Sequence, residues 1–138
     1  MIRIAKCFST AIVLVGAALC SAGTASAARP DLRIRQLRFD AQSAKLVHVL
    51  VVNTGDAPAG PNVVRLTVRR INGIPTGRVT DARVPALPAK RSVWVSVNAD
   101  RILPRGVALS RTTFRLDVDA LNQVAESSER NNQVWHNL

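Results

Sequence analysis

From Asp31 onward, short runs of β-branched and apolar residues alternate with turn-forming residues about every 8 to 14 positions. No segment sustains the 3.6-residue apolar period of an amphipathic helix. Several short strands at this spacing are typical of an all-β sandwich or barrel. The spacing predicts a two-sheet sandwich of about seven antiparallel strands.

Two predicted strands carry the clearest patterns. Residues 45–53 are almost all apolar, which favours a central strand. Residues 62–71 alternate, so Val64, Leu66 and Val68 should face inward and the arginines between them outward. Asn72-Gly73 then predicts a tight hairpin turn. The other predicted strands are 32–39 with a bulge near Gln36, 78–84, 92–97, 107–119 and 133–137.

The N-terminus has the composition of a secretory signal peptide, predicted over residues 1–27. Arg3 and Lys6 precede a short apolar run, and the small residues Ala25-Ser26-Ala27 follow it. A run of about ten residues is too short to span a bilayer, which takes roughly 20. We therefore expect residues 28–138 to be exported as one domain, to the periplasm or outside the cell, with no transmembrane segment. Both cysteines precede residue 28, so this domain has no disulfide.

The charge balance is strongly basic, with 19 Lys and Arg against 9 Asp and Glu. A basic balance favours an anionic partner such as an acidic polysaccharide, although solubility alone also accounts for it. Nucleic acid is not expected, because the chain is predicted to be exported and aromatic residues make up only 4% of it.

Several segments resemble a known family. They are Asp31-Leu32 at the start of a strand, Val52 to Ala59, Leu87-Pro88-Ala89, and Asp117-Val118-Asp119 followed by Val124 to Asn132. The chain resembles CARDB, the cell-adhesion-related domain found in bacteria, from about Pro30 to Val134. The resemblance implies an immunoglobulin-like sandwich, usually one module of a larger exported protein, that binds or adheres. Lys90 stands where many members have glycine, and the chain is expected to stand alone without a companion domain.

The motif residues have a structural interpretation. Asn and Asp side chains bond to nearby backbone and tolerate tight turns, and Val124 is expected to reach the core from the last loop. The residues predicted to be structural are Asn53, Gly55, Val124, Glu129, Asn131 and Asn132.

Acidic residues cluster near the C-terminus. Asp117, Asp119 and Glu126 make a candidate calcium site, because calcium accepts irregular sets of oxygen ligands. The alternative is that these carboxylates are paired or solvated. No other cofactor is expected.

Arginines alternate with threonines on two predicted strands. Arg65 and Arg69 on one, with Arg111 and Arg115 on the other, predict a basic face for an anionic ligand, because the two strands neighbour each other in an immunoglobulin-like sheet. The alternative is a solvated edge with acids of the last loop nearby. Trp94 is a candidate platform for a sugar ring or a cover for an edge, and Trp135 is expected to close one end of the sandwich.

No catalytic motif is present, so an enzyme is not expected. The two histidines lie far apart, and there is no nucleophile elbow or His-x-x-x-His pair. Two functions remain open. One is a non-catalytic module that binds cell-envelope polysaccharide or another polyanion through a strand face. The other is an accessory subunit that docks on another exported protein, for example through a sheet edge.

Overall fold

A computed structural model describes residues 27–126, 128 and 132–138, and the predicted signal peptide lies almost entirely outside them. The described chain forms seven strands and no α-helix. No helix among these residues is long and apolar enough to cross a bilayer. The strands are β1 (Leu32–Phe39), β2 (Leu46–Asn53), β3 (Asn62–Ile71), β4 (Ile74–Val84), β5 (Ser92–Asn98), β6 (Thr112–Val118) and β7 (Gln133–His136).

The strands form two antiparallel sheets, ordered β1-β2-β5 and β4-β3-β6-β7. The predicted sandwich is confirmed. The apolar strand β2 is central in its sheet, and β3 and β6 are neighbours. A bulge lies between Ile34 and Gln36 as expected, and a second, unpredicted bulge lies between Val68 and Arg70.

The core lies between the sheets. Alternate residues of β2, from Val47 to Val51, are fully buried and face the inward side chains of β3 and β6. Phe114 is the largest fully buried side chain. The His136 ring stacks on it at 4.9 Å between ring centres. His136 therefore helps to close the sandwich at the part of the core where Phe114 lies. Trp135 was expected to close one end, but it lies on the outer face and is 47% exposed.

Two strand starts differ from the predictions. β4 begins at Ile74 rather than near Arg78, because Asn72 and Gly73 both have positive φ and form a two-residue turn. Pro75 is tolerated because β4 is an edge strand. β6 begins at Thr112 rather than near residue 107, because the preceding residues form turns and a single 3-10 turn, Leu109–Arg111.

A buried asparagine organises the end of the sandwich where β1 begins. Asn53 Oδ1 accepts hydrogen bonds from the backbone N–H groups of Asp31 and Gly55, both at 3.0 Å. Its Nδ2 donates to the carbonyl oxygens of Ala57 at 2.8 Å and Leu87 at 3.2 Å. The side chain is fully buried. It thus ties together three segments distant in sequence.

Gly55 lies beside this asparagine. A Cβ at this position would collide with the Arg29 carbonyl oxygen and the Asp31 backbone nitrogen. Backbone cannot move aside as a flexible side chain can, so the turn needs glycine here for close approach.

Asn53→Ala is expected to lower the free energy of unfolding by about 2–4 kcal/mol, because it leaves buried backbone groups without partners. Urea unfolding measures the change. Asn98→Ala is the control, since Asn98 is exposed and accepts one local bond, from the Asp100 N–H. Equal losses in the two variants would contradict the organising role of Asn53.

Lys90 adopts a backbone conformation that favours glycine, with φ of 63°. Its Nζ donates to the Thr54 carbonyl oxygen at 2.7 Å and lies 3.1 Å from Asp56 Oδ1. The long side chain thus compensates in part for a left-handed backbone.

Lys90→Gly and Lys90→Ala remove the same contacts but differ in backbone freedom. We expect the glycine variant to be more stable than the alanine variant by about 0.5–1 kcal/mol, the reverse of their order within a helix or strand. Thermal melts of the two proteins measure this order. An alanine variant at least as stable as the glycine variant would contradict a strained Lys90.

Candidate functional site

The outer face of the four-stranded sheet has a groove of about 360 Å³ where β6 and β7 meet the loop between them. Cross-strand pairing builds its floor, because Arg65 lies opposite Asp117, which in turn lies opposite Gln133. The loop after β6 adds Asp119 and Asn122. The groove therefore brings together four of the candidate residues: Arg65, Arg115, Asp117 and Asp119.

Carboxylates alternate with guanidinium groups across this face. Arg65 Nε and Nη2 donate to the two oxygens of Asp81 at 2.7 and 2.8 Å. These bonds hold the pKa of Asp81 below its usual value, and Asp81 raises the pKa of Arg65. Arg115 Nε donates to Asp117 Oδ2 at 2.8 Å. Among the described residues, the acids that bond to these two arginines lie on β4 and β6.

Trp135 extends the face beyond the groove. It lies opposite Arg115, whose guanidinium carbon is 5.7 Å from the centre of the indole ring. Gln133 shares its side of β7, two residues earlier. An exposed aromatic ring thus lies next to charged and amide groups that donate and accept hydrogen bonds.

Three other candidate residues lie away from the groove. Arg69 is the extra residue of β3 in the β3–β6 ladder and has no cross-strand partner in either ladder. Arg111 precedes β6, in the 3-10 turn. Trp94 lies on the outer face of the other sheet, 44% exposed, with the guanidinium carbon of Arg38 5.2 Å from its ring centre.

The candidate calcium ligands make internal bonds. Asp119 accepts the N–H groups of Gln123 at 2.7 Å and Val124 at 3.0 Å, one on each carboxylate oxygen. Glu126 Oε2 accepts the N–H of Leu32, and its Oε1 accepts Asn132 Nδ2 at 3.0 Å. Across the described ranges, no group of three or more His, Cys, Asp or Glu side chains is placed to hold a metal ion.

These bonds position the loop between β6 and β7. They direct Val124 into the core, where it is 6% exposed. Glu126 connects the loop to the first residue of β1 across the sandwich. Glu129 and Asn131 lie outside the described residues.

A hydrogen-bond chain that the sequence did not indicate lies on the outer face of the three-stranded sheet. His48 Nε2 is 2.9 Å from Asp40 Oδ1, and Nδ1 is 2.9 Å from Ser96 Oγ. The His48 ring, with the N–H groups of Gln42 and Ser43, holds the pKa of Asp40 below its usual value. Ser96 lies directly opposite His48 in the β2–β5 ladder, so the chain is a cross-strand network on an open sheet.

The pairing of Arg65 with Asp81 makes stability depend on pH. The folded pKa of Asp81 lies below its unfolded value of about 3.9, so its contribution is present above that pH and is lost as the pH falls through the folded pKa. Asp81→Asn is expected to lower the unfolding free energy at neutral pH by less than about 1 kcal/mol, because the pair is partly exposed.

Urea unfolding of both proteins, at neutral pH and at a pH well below the usual Asp range, measures this difference. We expect the difference to shrink in acid. A difference that is the same at both pH values would show that the charge of Asp81 does not contribute.

Comparisons with known proteins agree with this architecture. The CARDB family model matches residues 29–135. A crystal structure of a CARDB domain from Pyrococcus furiosus, determined in complex with di-metal ions, aligns at 20% sequence identity with a TM-score of 0.52. The alignment covers 81% of this chain and 94% of that domain, and at this identity it shows the fold alone. No curated protein matches the chain.

Proposed function

Because the chain belongs to the CARDB family, an adhesion-related family of non-catalytic immunoglobulin-like domains, we propose that it is an exported binding module. It holds a cell-envelope polysaccharide on the outer face of its four-stranded sheet. The observation that carries this proposal is the groove beside an exposed tryptophan, Trp135.

The chemistry of this face suits a sugar chain. A flat indole ring offers an apolar surface to one side of a sugar ring, and amide and carboxylate groups exchange hydrogen bonds with its hydroxyls. Asn122 and Gln133 supply the amides and Asp117 a carboxylate. Arg115 donates to Asp117 through Nε, and its terminal nitrogens can donate to a ligand carboxylate or hydroxyl.

The pairing of the arginines on this face bears on how strongly it attracts an anionic ligand. Asp81 occupies two nitrogens of Arg65, and Asp117 is bonded to Arg115. A face of alternating charge attracts a polyanion less than a row of unpaired arginines does. We therefore place the affinity in stacking and hydrogen bonds, with modest dependence on salt.

Export rests on the N-terminal sequence, which has the charged start, apolar run and small-residue end of a signal peptide. The absence of cysteine after residue 20 fits a domain held by its core in any redox environment. The domain boundary of the proposal is therefore 28–138, in the periplasm or outside the cell.

Binding through this face requires no metal. The metal ions in the Pyrococcus furiosus crystal belong to that domain. In this chain, backbone N–H groups and Asn132 already occupy both oxygens of Asp119 and of Glu126, and Arg115 bonds to Asp117. These bonds give each of the three carboxylates a partner within the protein, and the proposed sugar contacts do not use a metal ion.

A second candidate is docking on another exported protein through the edge strand β4. This strand is 11 residues long, and Val79 is 46% exposed on it. A long edge strand offers backbone groups to a strand of a partner.

Trp135→Ala is expected to weaken binding to isolated cell-envelope polysaccharide by roughly tenfold, because it removes the stacking surface. Affinity electrophoresis or sedimentation with the polysaccharide measures the change. Trp94→Ala is a matched control, since Trp94 is exposed to a similar extent on the opposite face.

Loss of binding in Trp94→Ala with retention in Trp135→Ala would contradict the assignment of the binding face. Retention in both variants, together with salt-resistant capture of one envelope protein, would favour docking through β4.

A further inference from the structure

One end of the sandwich concentrates unpaired positive charge. We call it the hairpin end and define it by the connections 40–45, 72–73 and 99–111. Seven basic residues lie in these connections or in the strand ends beside them: Lys45, Arg69, Arg70, Arg78, Arg101, Arg105 and Arg111. The acids there are Asp40, bonded to His48, and Asp100, 3.6 Å from Lys45. The hairpin end therefore carries an excess of positive charge.

Several arginines of the hairpin end are exposed and accessible to an anionic partner. Arg69, Arg105 and Arg111 are exposed, and none takes part in an ion pair within the described ranges. At the opposite end, where β1 begins, acids and bases nearly balance: the acids are Asp31, Asp56, Asp119 and Glu126, and the bases are Arg29, Arg33, Arg83, Lys90 and Arg91. The molecule is thus polarised along the strands.

The hairpin end is one continuous surface. Arg78 donates to the Ile102 carbonyl oxygen at 2.9 Å, which joins the β3–β4 hairpin to the connection 99–111. A shallow pocket of about 280 Å³ lies between them, with Pro75 and Pro104 in its lining. Arg111 is next to the hairpin as well, because Thr112 pairs with Ile71.

An exposed apolar side chain lies within this basic surface. Ile74 follows the turn and is 68% exposed, although isoleucine is among the residues most often buried. An exposed isoleucine gains nothing in water or against a hydrated sugar polymer, but it gains free energy when buried in the interfacial region of a lipid bilayer. Surrounding arginines attract the phosphates of anionic lipids.

We propose that the hairpin end docks on an anionic lipid surface, with Ile74 inserted among the headgroups and the arginines on the phosphates. The excess of positive charge at the hairpin end then turns that end, and not the opposite one, toward the bilayer. The outer face of the four-stranded sheet stands beside the membrane and is free to hold its own ligand. This inference does not depend on the polysaccharide proposal, since the two surfaces share no residue.

Sedimentation of the purified protein with lipid vesicles tests the proposal. The N-terminal residue of each purified protein is determined and must be the same in all variants. Vesicles of phosphatidylglycerol mixed with phosphatidylcholine should bind it, and vesicles of phosphatidylcholine alone should not. Each arginine should contribute about fivefold to partitioning at low salt. Arg105→Glu with Arg111→Glu should therefore reduce binding by well over tenfold, and Ile74→Ser by roughly threefold to tenfold.

Matched controls lie at the opposite end. Arg83→Glu with Arg91→Glu makes the same change in net charge, and Leu121→Ser removes a comparably exposed apolar side chain, 50% exposed. Both controls should bind nearly as well as the unchanged protein. Equal losses in the control and test variants, or no binding to anionic vesicles, would overturn the proposal. So would binding to a soluble anionic polysaccharide that Arg105→Glu with Arg111→Glu abolishes and that Ile74→Ser leaves intact.

Discussion

The fold depends on the hydrogen bonds of one buried side chain, Asn53. The connections between the strands of a sandwich lie outside the hydrogen-bond ladders, so their buried backbone N–H and C=O groups need other partners. Asn53 makes four such bonds: one to the residue before β1, two to the turn that follows β2, and one to the segment before β5. Glu126 adds a bond from the last loop to β1. Without disulfides, this polar network fixes how the ends of the sheets meet.

The internal hydrogen bonds are concentrated at one end of the sandwich, and the other surfaces differ from that end in their exposed groups. The end at which β1 begins is occupied by internal bonds, including those of Asp119 and Glu126, so its acids position a loop. The groove and Trp135 lie on a sheet face, where strand ladders hold side chains at fixed spacing. The hairpin end has connections that carry exposed arginines.

The positions of the strands and of the core residues were largely predictable, because they follow from burial patterns local in sequence. Val64, Leu66 and Val68 face the core as their alternation indicated. The partner of Arg65 was not predictable. The Asn72-Gly73 turn alone would set Arg65 opposite Thr80. In the β3–β4 ladder, however, two residues of β4, Thr76 and Gly77, lie between the pairs that flank Arg69, and this extra residue shifts the register by one and brings Asp81 opposite Arg65. Trp135 was misplaced for a similar reason, since which side of β7 faces the core depends on pairing with β6.

The most direct test of the account is a titration of the ¹⁵N-labelled protein with fragments of envelope polysaccharide, followed by amide and indole chemical shifts. The account predicts that the shifts concentrate in β6 and β7, with the Trp135 indole N–H among the most affected signals. Shifts confined to the three-stranded sheet, with the Trp94 indole N–H most affected, would contradict it.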